Sequence, residues 1–266
     1  MGYFKVDVKP NFPASLQHSG ANMTDGKVLA DWTEFEIPSG TASLQGINIL
    51  YKGVDGADID PTDFEILWAK GNVDGTAPTS LATPGSVVGA PATGSNPWFN
   101  QIQGKTYVDV SNCKDDGNLV YLRQLTPNIS FGGTTAAQTA VNLGLGNTQL
   151  CLEGVPQSGS NVGYDKLYAA LLAKATHAYT TSTLNVDGAH ASETTGAVLT
   201  VATIDARLAF APGDVIHDED DQLVGTVRYV NSGTKITLDA PIANSVADGK
   251  HLYNLNPIVI QCSFHQ

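Results

Sequence analysis

The sequence predicts a mainly β protein: an antiparallel, jelly-roll-like β-sandwich, then one helix, then a small C-terminal β-barrel-like module. Three observations predict it. Short stretches of period-two alternation recur at about 10–15 residue spacing with turn residues between them. The 266 residues include 27 Gly and 13 Pro, which supply the punctuation. Charged residues are only 15% of the chain, against a usual ~25%. A coiled coil or helical bundle needs far more Ala, Glu, Lys, Leu and Arg than this.

Residues 1–30 read as an extended N-terminal arm, broken by Pro10, Pro13, Gly20 and Gly26. Its apolar anchors are Phe4, Phe12 and Leu16. Such a segment is either clamped by its aromatics or reaches to a neighbouring subunit, so Phe4 and Phe12 are candidate interface residues. A sandwich domain is expected over 31–160. In Trp32 to Ile37, Phe35 and Ile37 face one side and Glu34 and Glu36 the other. Leu44 to Lys52 and Asp63 to Lys70 are the next strands, with Trp32 and Trp68 in the core. A Thr-, Ala-, Pro-, Gly- and Ser-rich loop covers 75–97. The aromatic pair Trp98 and Phe99 follows it, a further candidate interface. Tyr107 to Val110, Leu119 to Arg123 and Gln149 to Glu153 complete the strand set.

Residues 161–180 read as a helical linker. Leu167, Leu171 and Leu172 recur at helical spacing between Tyr164 and Tyr179, and Asn161 is a candidate cap. The stretch 181–266 then carries short strands at 183–186, 197–201, 214–216, 223–230, 235–238 and 257–260. That is the size of a small barrel, whose core is marginal alone. It should pack on the first domain or on another subunit.

The 26 acidic residues outnumber the 14 basic ones, giving a net charge of −12. Such a chain lacks the basic face that neutralises phosphates, so no nucleic acid is expected as a partner. No apolar run approaches the ~20 residues of a membrane span, and Met1 to Asp7 lacks a signal-peptide apolar region. Folding in a cytoplasm is the expectation. Cys113, Cys151 and Cys262 are odd in number and far apart, so free thiols are expected.

Chemistry-bearing patterns are sparse. The sharpest is His217-Asp218-Glu219-Asp220-Asp221. Asp218, Asp220 and Asp221 are weak candidates for a hard cation held through oxygens. The spacing lacks an EF-hand pattern, and a solvated acidic hairpin tip explains the run, so no metal is assigned. Asp55, Asp58, Asp60 and Asp63 read as Asp-Gly turns. The six histidines form no HxH or HExxH, and His177 is expected on the helix surface. Gly132-Gly133 and Gly144-Leu145-Gly146 lack a phosphate-loop Lys, and residues 154–159 do not give Gly-x-Ser-x-Gly. Glu34 with Glu36, and Asp63 with Glu65, are expected on solvent faces and not in a groove. No catalytic residue, no cofactor and no enzyme activity are expected.

The C-terminal stretch carries a resemblance. Gly213-Asp214-Val215-Ile216, Val224-Gly225-Thr226-Val227, Lys235-Ile236-Thr237-Leu238, Asp248-Gly249 and Leu252-Tyr253-Asn254-Leu255-Asn256-Pro257-Ile258 resemble a small β module of tailed-bacteriophage virion proteins, most strongly of the T4-like marine cyanophage type. The first half is similar in style to capsid decoration and neck or tail accessory proteins. The resemblance implies a non-enzymatic virion structural protein, foremost a capsid decoration (cement) protein stabilising the phage head. It would be made in the host cytoplasm and would sit on the virion. The implied partners are the major capsid protein or other virion proteins, with homo-oligomers and no membrane. The alternatives are a neck, tail or baseplate protein, or a carbohydrate- or receptor-binding module using aromatics such as Trp98 and Tyr107.

Overall fold

A computed structural model describes residues 2–20, 22–51, 62–88, 101–108, 121–125, 150–178, 182–192 and 197–266. The chain opens with β1 (Tyr3–Val8), the short α1 (Ala14–His18), β2 (Asn22–Met23), β3 (Val28–Pro38), β4 (Thr41–Tyr51) and β5 (Phe64–Lys70). It continues through β6 (Ile102–Val108), β7 (Tyr121–Leu125), β8 (Leu150–Glu153), β9 (Val155–Pro156), β10 (Tyr164–Ala173) and β11 (His177–Ala178). A second group comprises β12 (Asn185–Val186), β13 (Val198–Ala202), α2 (Ala206–Ala209), β14 (Val215–Asp218), β15 (Leu223–Ser232), β16 (Lys235–Leu238) and β17 (Leu252–Asn254). The last strand is β18 (Ile258–His265). The protein is mainly β and its sheets are antiparallel, as the sequence predicts.

Two five-stranded sheets face each other. One runs β1-β18-β4-β7, with β8 also on β4; the other runs β3-β10-β5-β6, with β9 also on β10. Alternate side chains from both meet in one core. Leu44, Ile47, Ile49, Ile260 and Phe264 come from the first sheet, and Phe35, Ile37, Ile66, Trp68 and Leu167 from the second. Phe35 joins the sheets, edge-on to Trp68 at 5.8 Å and stacked on Phe264 at 6.4 Å. Trp68 is fully buried and its indole N–H donates to Thr106 Oγ1 at 3.0 Å.

The expected helix over 164–179 is a strand. β10 lies between β3 and β5, in register from Tyr164↔Pro38 and from Leu167↔Lys70. Leu167, Ala169, Leu171 and Ala173 enter the sandwich core, while Ala170 packs with Val28, Leu67 and Leu81 on the outer face. A strand covered on both faces reads as a continuous apolar run. The leucines at 167, 171 and 172 therefore mimic helical spacing, and tertiary packing overrides it.

The N-terminal thirty residues are not an arm. β1 pairs with β18 from Tyr3↔His265 to Val8↔Ile260, and Phe12 is fully buried in the sandwich core. Nor does the C-terminal module run to residue 266. Ile258, Ile260, Cys262 and Phe264 of β18 point into the sandwich, and β18 pairs with β4. The second module is thus inserted between β11 and β18.

That module is a six-stranded, nearly closed barrel-like sheet, ordered β12-β13-β16-β15-β14-β17. A bridge Asn185↔His251 brings its ends together. Val186 N–H donates to Lys250 O, and Leu252 N–H to Leu184 O, each at 2.9 Å. Leu184, Leu199, Val201, Ile216, Val224, Val227, Ile236 and Leu252 fill it. Gly225 is packed so closely that a Cβ there would lie 2.7 Å from Leu238 Cδ1, which only glycine avoids. Among the described residues no helix is long and apolar enough to cross a membrane.

Candidate functional site: the junction of sandwich and barrel

The chemistry-bearing side chains converge where the chain passes between the two units. Residues 9–18 leave β1 and lie across the barrel, and residues 252–257 carry β17 into β18. In β14 and β17 the opposed pairs are Ile216↔Asn254, His217↔Tyr253 and Asp218↔Leu252. Ile216 and Leu252 point into the barrel core, so alternation turns His217 and Tyr253 outward. α1 covers that outer face. Ala14 packs with Tyr253 and Leu255, and Val215 lies against them.

Buried amides fasten the crossing. Asn256 Nδ2 reaches Lys9 O at 3.1 Å, Pro10 O at 3.3 Å and Asn11 Oδ1 at 3.0 Å. Its Oδ1 accepts from Val215 N–H at 3.1 Å. Asn254 Nδ2 donates to Ala209 O at 2.9 Å and Asp214 Oδ2 at 2.8 Å, and its Oδ1 accepts from Asn256 N–H at 2.7 Å. Gln17 Nε2 donates to Phe12 O at 2.9 Å and Asn254 O at 3.1 Å. Asp214 also accepts from Ala211 N–H at 2.9 Å and faces Lys9 Nζ at 3.4 Å. Gln17, Asp214 and Asn254 are fully buried and Asn256 nearly so, so each of these bonds replaces water that cannot enter.

The acidic tip belongs to the same junction. It is not merely a solvated loop. Asp218 Oδ1 accepts from Asp220 N–H at 3.0 Å and Gln222 N–H at 2.9 Å, closing its own turn. Asp221, at φ 62°, receives Ser15 N–H at 2.9 Å and is bonded by Ser15 Oγ, which anchors the start of α1. Lys250 Nζ sits 2.6 Å from Asp220 and 2.9 Å from Glu219, and His251 N–H donates to Glu219 at 3.1 Å. The three weak cation candidates are therefore engaged by protein donors. Among the described residues no group of three His, Cys, Asp or Glu side chains is arranged to hold a metal.

Three of the six histidines, His18, His217 and His251, sit at the same face. His18 Nδ1 is 2.7 Å from Tyr253 Oη, and its ring lies 5.6 Å from that of His251. His217 Nδ1 and His251 Nδ1 are buried without a hydrogen-bond partner. Burial pushes His217 below its usual value, against the opposing pull of Asp221 and Asp218. Burial raises Glu219, but Lys250 and the His251 N–H outweigh it and hold the carboxyl low. Hydrogen bonds to Asp220 and Glu219 push Lys250 up.

The other sequence candidates are dispersed. Phe4 is half-buried and stacks on Phe264 at 5.3 Å, and Phe12 is wholly internal, so Phe12 offers nothing to another subunit. Its aromatic ring is consumed by the sandwich core. Trp98 and Phe99, Asp55, Asp58 and Asp60, and Cys113 lie outside the described residues. Glu65 is buried, 2.9 Å from Lys105 and 3.7 Å from Lys174, and so is not on a solvent face. Tyr107 Oη donates to Asp63. Glu34 pairs with Lys166 at 2.8 Å. Cys151 and Cys262 are free thiols, exposed and buried respectively. Sequence reasoning passed over Gln17, Asn254 and Asn256. Their signal was present: two asparagines inside the otherwise apolar run Leu252 to Ile260.

Replacing Asn256→Ala strands Val215 N–H and the carbonyls of residues 9 and 10. Urea denaturation should show a loss of about 2–4 kcal/mol. The junction also sets a pH dependence. The unfolded chain protonates His217 near its ordinary 6.5, whereas the folded chain resists until lower pH. The His217 contribution is therefore complete above that value and is lost as pH falls from it through the lowered folded value. Thermal midpoints measured from pH 7.5 to 5 should fall, and His217→Gln should flatten that slope; equal slopes contradict the assignment.

The chain matches no protein-family model, no curated protein and no solved structure.

Proposed function

We propose that this chain is a non-enzymatic structural protein of a virion, foremost a decoration protein bound to the outside of a capsid lattice. One observation carries the reading. The residues behind the resemblance to phage virion modules are used as architecture. Val224, Val227, Ile236 and Leu238 fill the barrel core, while Asp214, Asn254 and Asn256 tie the barrel to the sandwich. Lys235, Asp248 and Gly249 of that motif are exposed, but its buried residues serve packing and fastening, which suits a rigid building block better than a binding cleft. Its acids point the same way. Asp214, Asp218, Asp221 and Glu219 act as internal acceptors, and the low charged fraction leaves uncharged polar faces that cost less to desolvate at extensive contacts.

The test is binding to particles. Tagged protein should co-purify with virions and should bind shells that lack it. A copy number in the hundreds supports the capsid surface, whereas a few copies per particle place it at the neck, tail or baseplate. Absence from particles, together with no binding to bare shells, overturns the reading.

A further inference from the structure

We infer that the outer edge of β1 pairs with β1 of a second copy about a two-fold axis, in one register, extending each sandwich into a continuous sheet. β1 is the edge strand of its sheet, beside β18, and among the described residues no strand covers its other side. Gly2 and Gln266 exchange both backbone bonds at 3.1 Å, each N–H donating to the other's carbonyl. The regular register from Tyr3↔His265 to Val8↔Ile260 carries that alternation inward. Phe4, Val6 and Val8 therefore spend their backbone groups on β18. Tyr3, Lys5 and Asp7 direct theirs to the open side.

Two copies can hydrogen-bond along this edge only antiparallel and only with odd residues opposite odd residues. Charge selects among the registers left. Centring on Lys5 sets two lysines opposite each other, and centring on Asp7 sets two aspartates opposite each other; like charges so placed are destabilising. Centring on Val6 puts Lys5 opposite the partner's Asp7 and Asp7 opposite the partner's Lys5. Among the described residues neither Lys5 nor Asp7 forms an ion pair within the chain, and both are exposed. In the same register Val6 meets the partner's Val6 and Phe4 meets the partner's Val8. Phe4 and Val6 pack on the sandwich core yet stay half-open, so the pairing would bury apolar surface that the edge leaves wet. The interface is self-complementary, as a closed two-fold dimer requires. Short edge strands bearing lysine are also used to block pairing, and that role predicts a monomer.

The proposal stands on the isolated protein and does not rest on the virion reading. Light scattering and sedimentation of the full chain should give about twice the 27.9 kDa chain mass, dissociating on dilution. Lys5→Asp and Asp7→Lys each oppose like charges and should weaken the dimer about tenfold. The double exchange Lys5→Asp with Asp7→Lys should restore it. Lys5→Pro, which removes an outward N–H and leaves the β18 pairing intact, should give a monomer with unchanged circular dichroism. A monomer at the highest soluble concentration overturns the proposal, as does a trimer or larger ring. So does a dimer indifferent to both single charge changes, or one the double exchange fails to rescue.

Discussion

The structure depends on two buried asparagines. Asn254 and Asn256 lie where the barrel hands the chain back to the sandwich. The Asn254 amide bonds to the barrel at Ala209 and Asp214, and the Asn256 amide bonds at once to Val215 of the barrel and to residues 9–11. Without them, the N-terminal segment would leave the carbonyls of residues 9 and 10 and the Val215 N–H without partners in a dry interface. A buried polar network of this kind stabilises through the members that are satisfied. Here the asparagine Nδ2 and Oδ1 atoms and Gln17 Nε2 have partners, whereas Gln17 Oε1 is buried without one. The network also fixes geometry, because amides accept few arrangements where apolar side chains would slide.

Chain topology makes this junction decisive. The barrel is an insertion whose two ends lie in the sandwich, so its placement is set by what crosses between the units. β1 and β18 are paired neighbours. The chain leaves one to drape over the barrel and enters the other on returning. The acidic tip adds charge to this fastening, with Asp221 at the start of α1 and Lys250 across from Glu219 and Asp220. Exposed ion pairs contribute little each. The buried amides and the Ala14, Tyr253 and Leu255 contacts therefore carry most of the docking.

Much of the fold was legible from period-two alternation. Phe35 with Ile37, and the strands at 44–52 and 63–70, lie where the pattern puts them, and the barrel-like module is present. The failures share a cause. β10 is apolar on both faces, which removes the alternation that distinguishes a strand and leaves Leu167, Leu171 and Leu172 to suggest a helix. β1 is short, and β18 lies far from its partners β1 and β4 along the chain, so no local signal tells which sheet receives either strand. The acidic tip was found as a cluster, but its partners are Ser15 and Lys250, distant in sequence. Asn254 and Asn256 were visible as polar residues in an apolar run. Their meaning appears only when residues 9–17 fold back onto them.

Native-state hydrogen exchange tests the central claim, that the junction makes sandwich and barrel one cooperative body. The amides of Phe12, Val215 and Leu255 all donate across it. They should exchange only through global unfolding, with the same denaturant dependence as core amides of β10 and β15. Exchange of these three amides through a lower-energy opening, while both cores stay protected, would show two units joined by a hinge and would contradict the account.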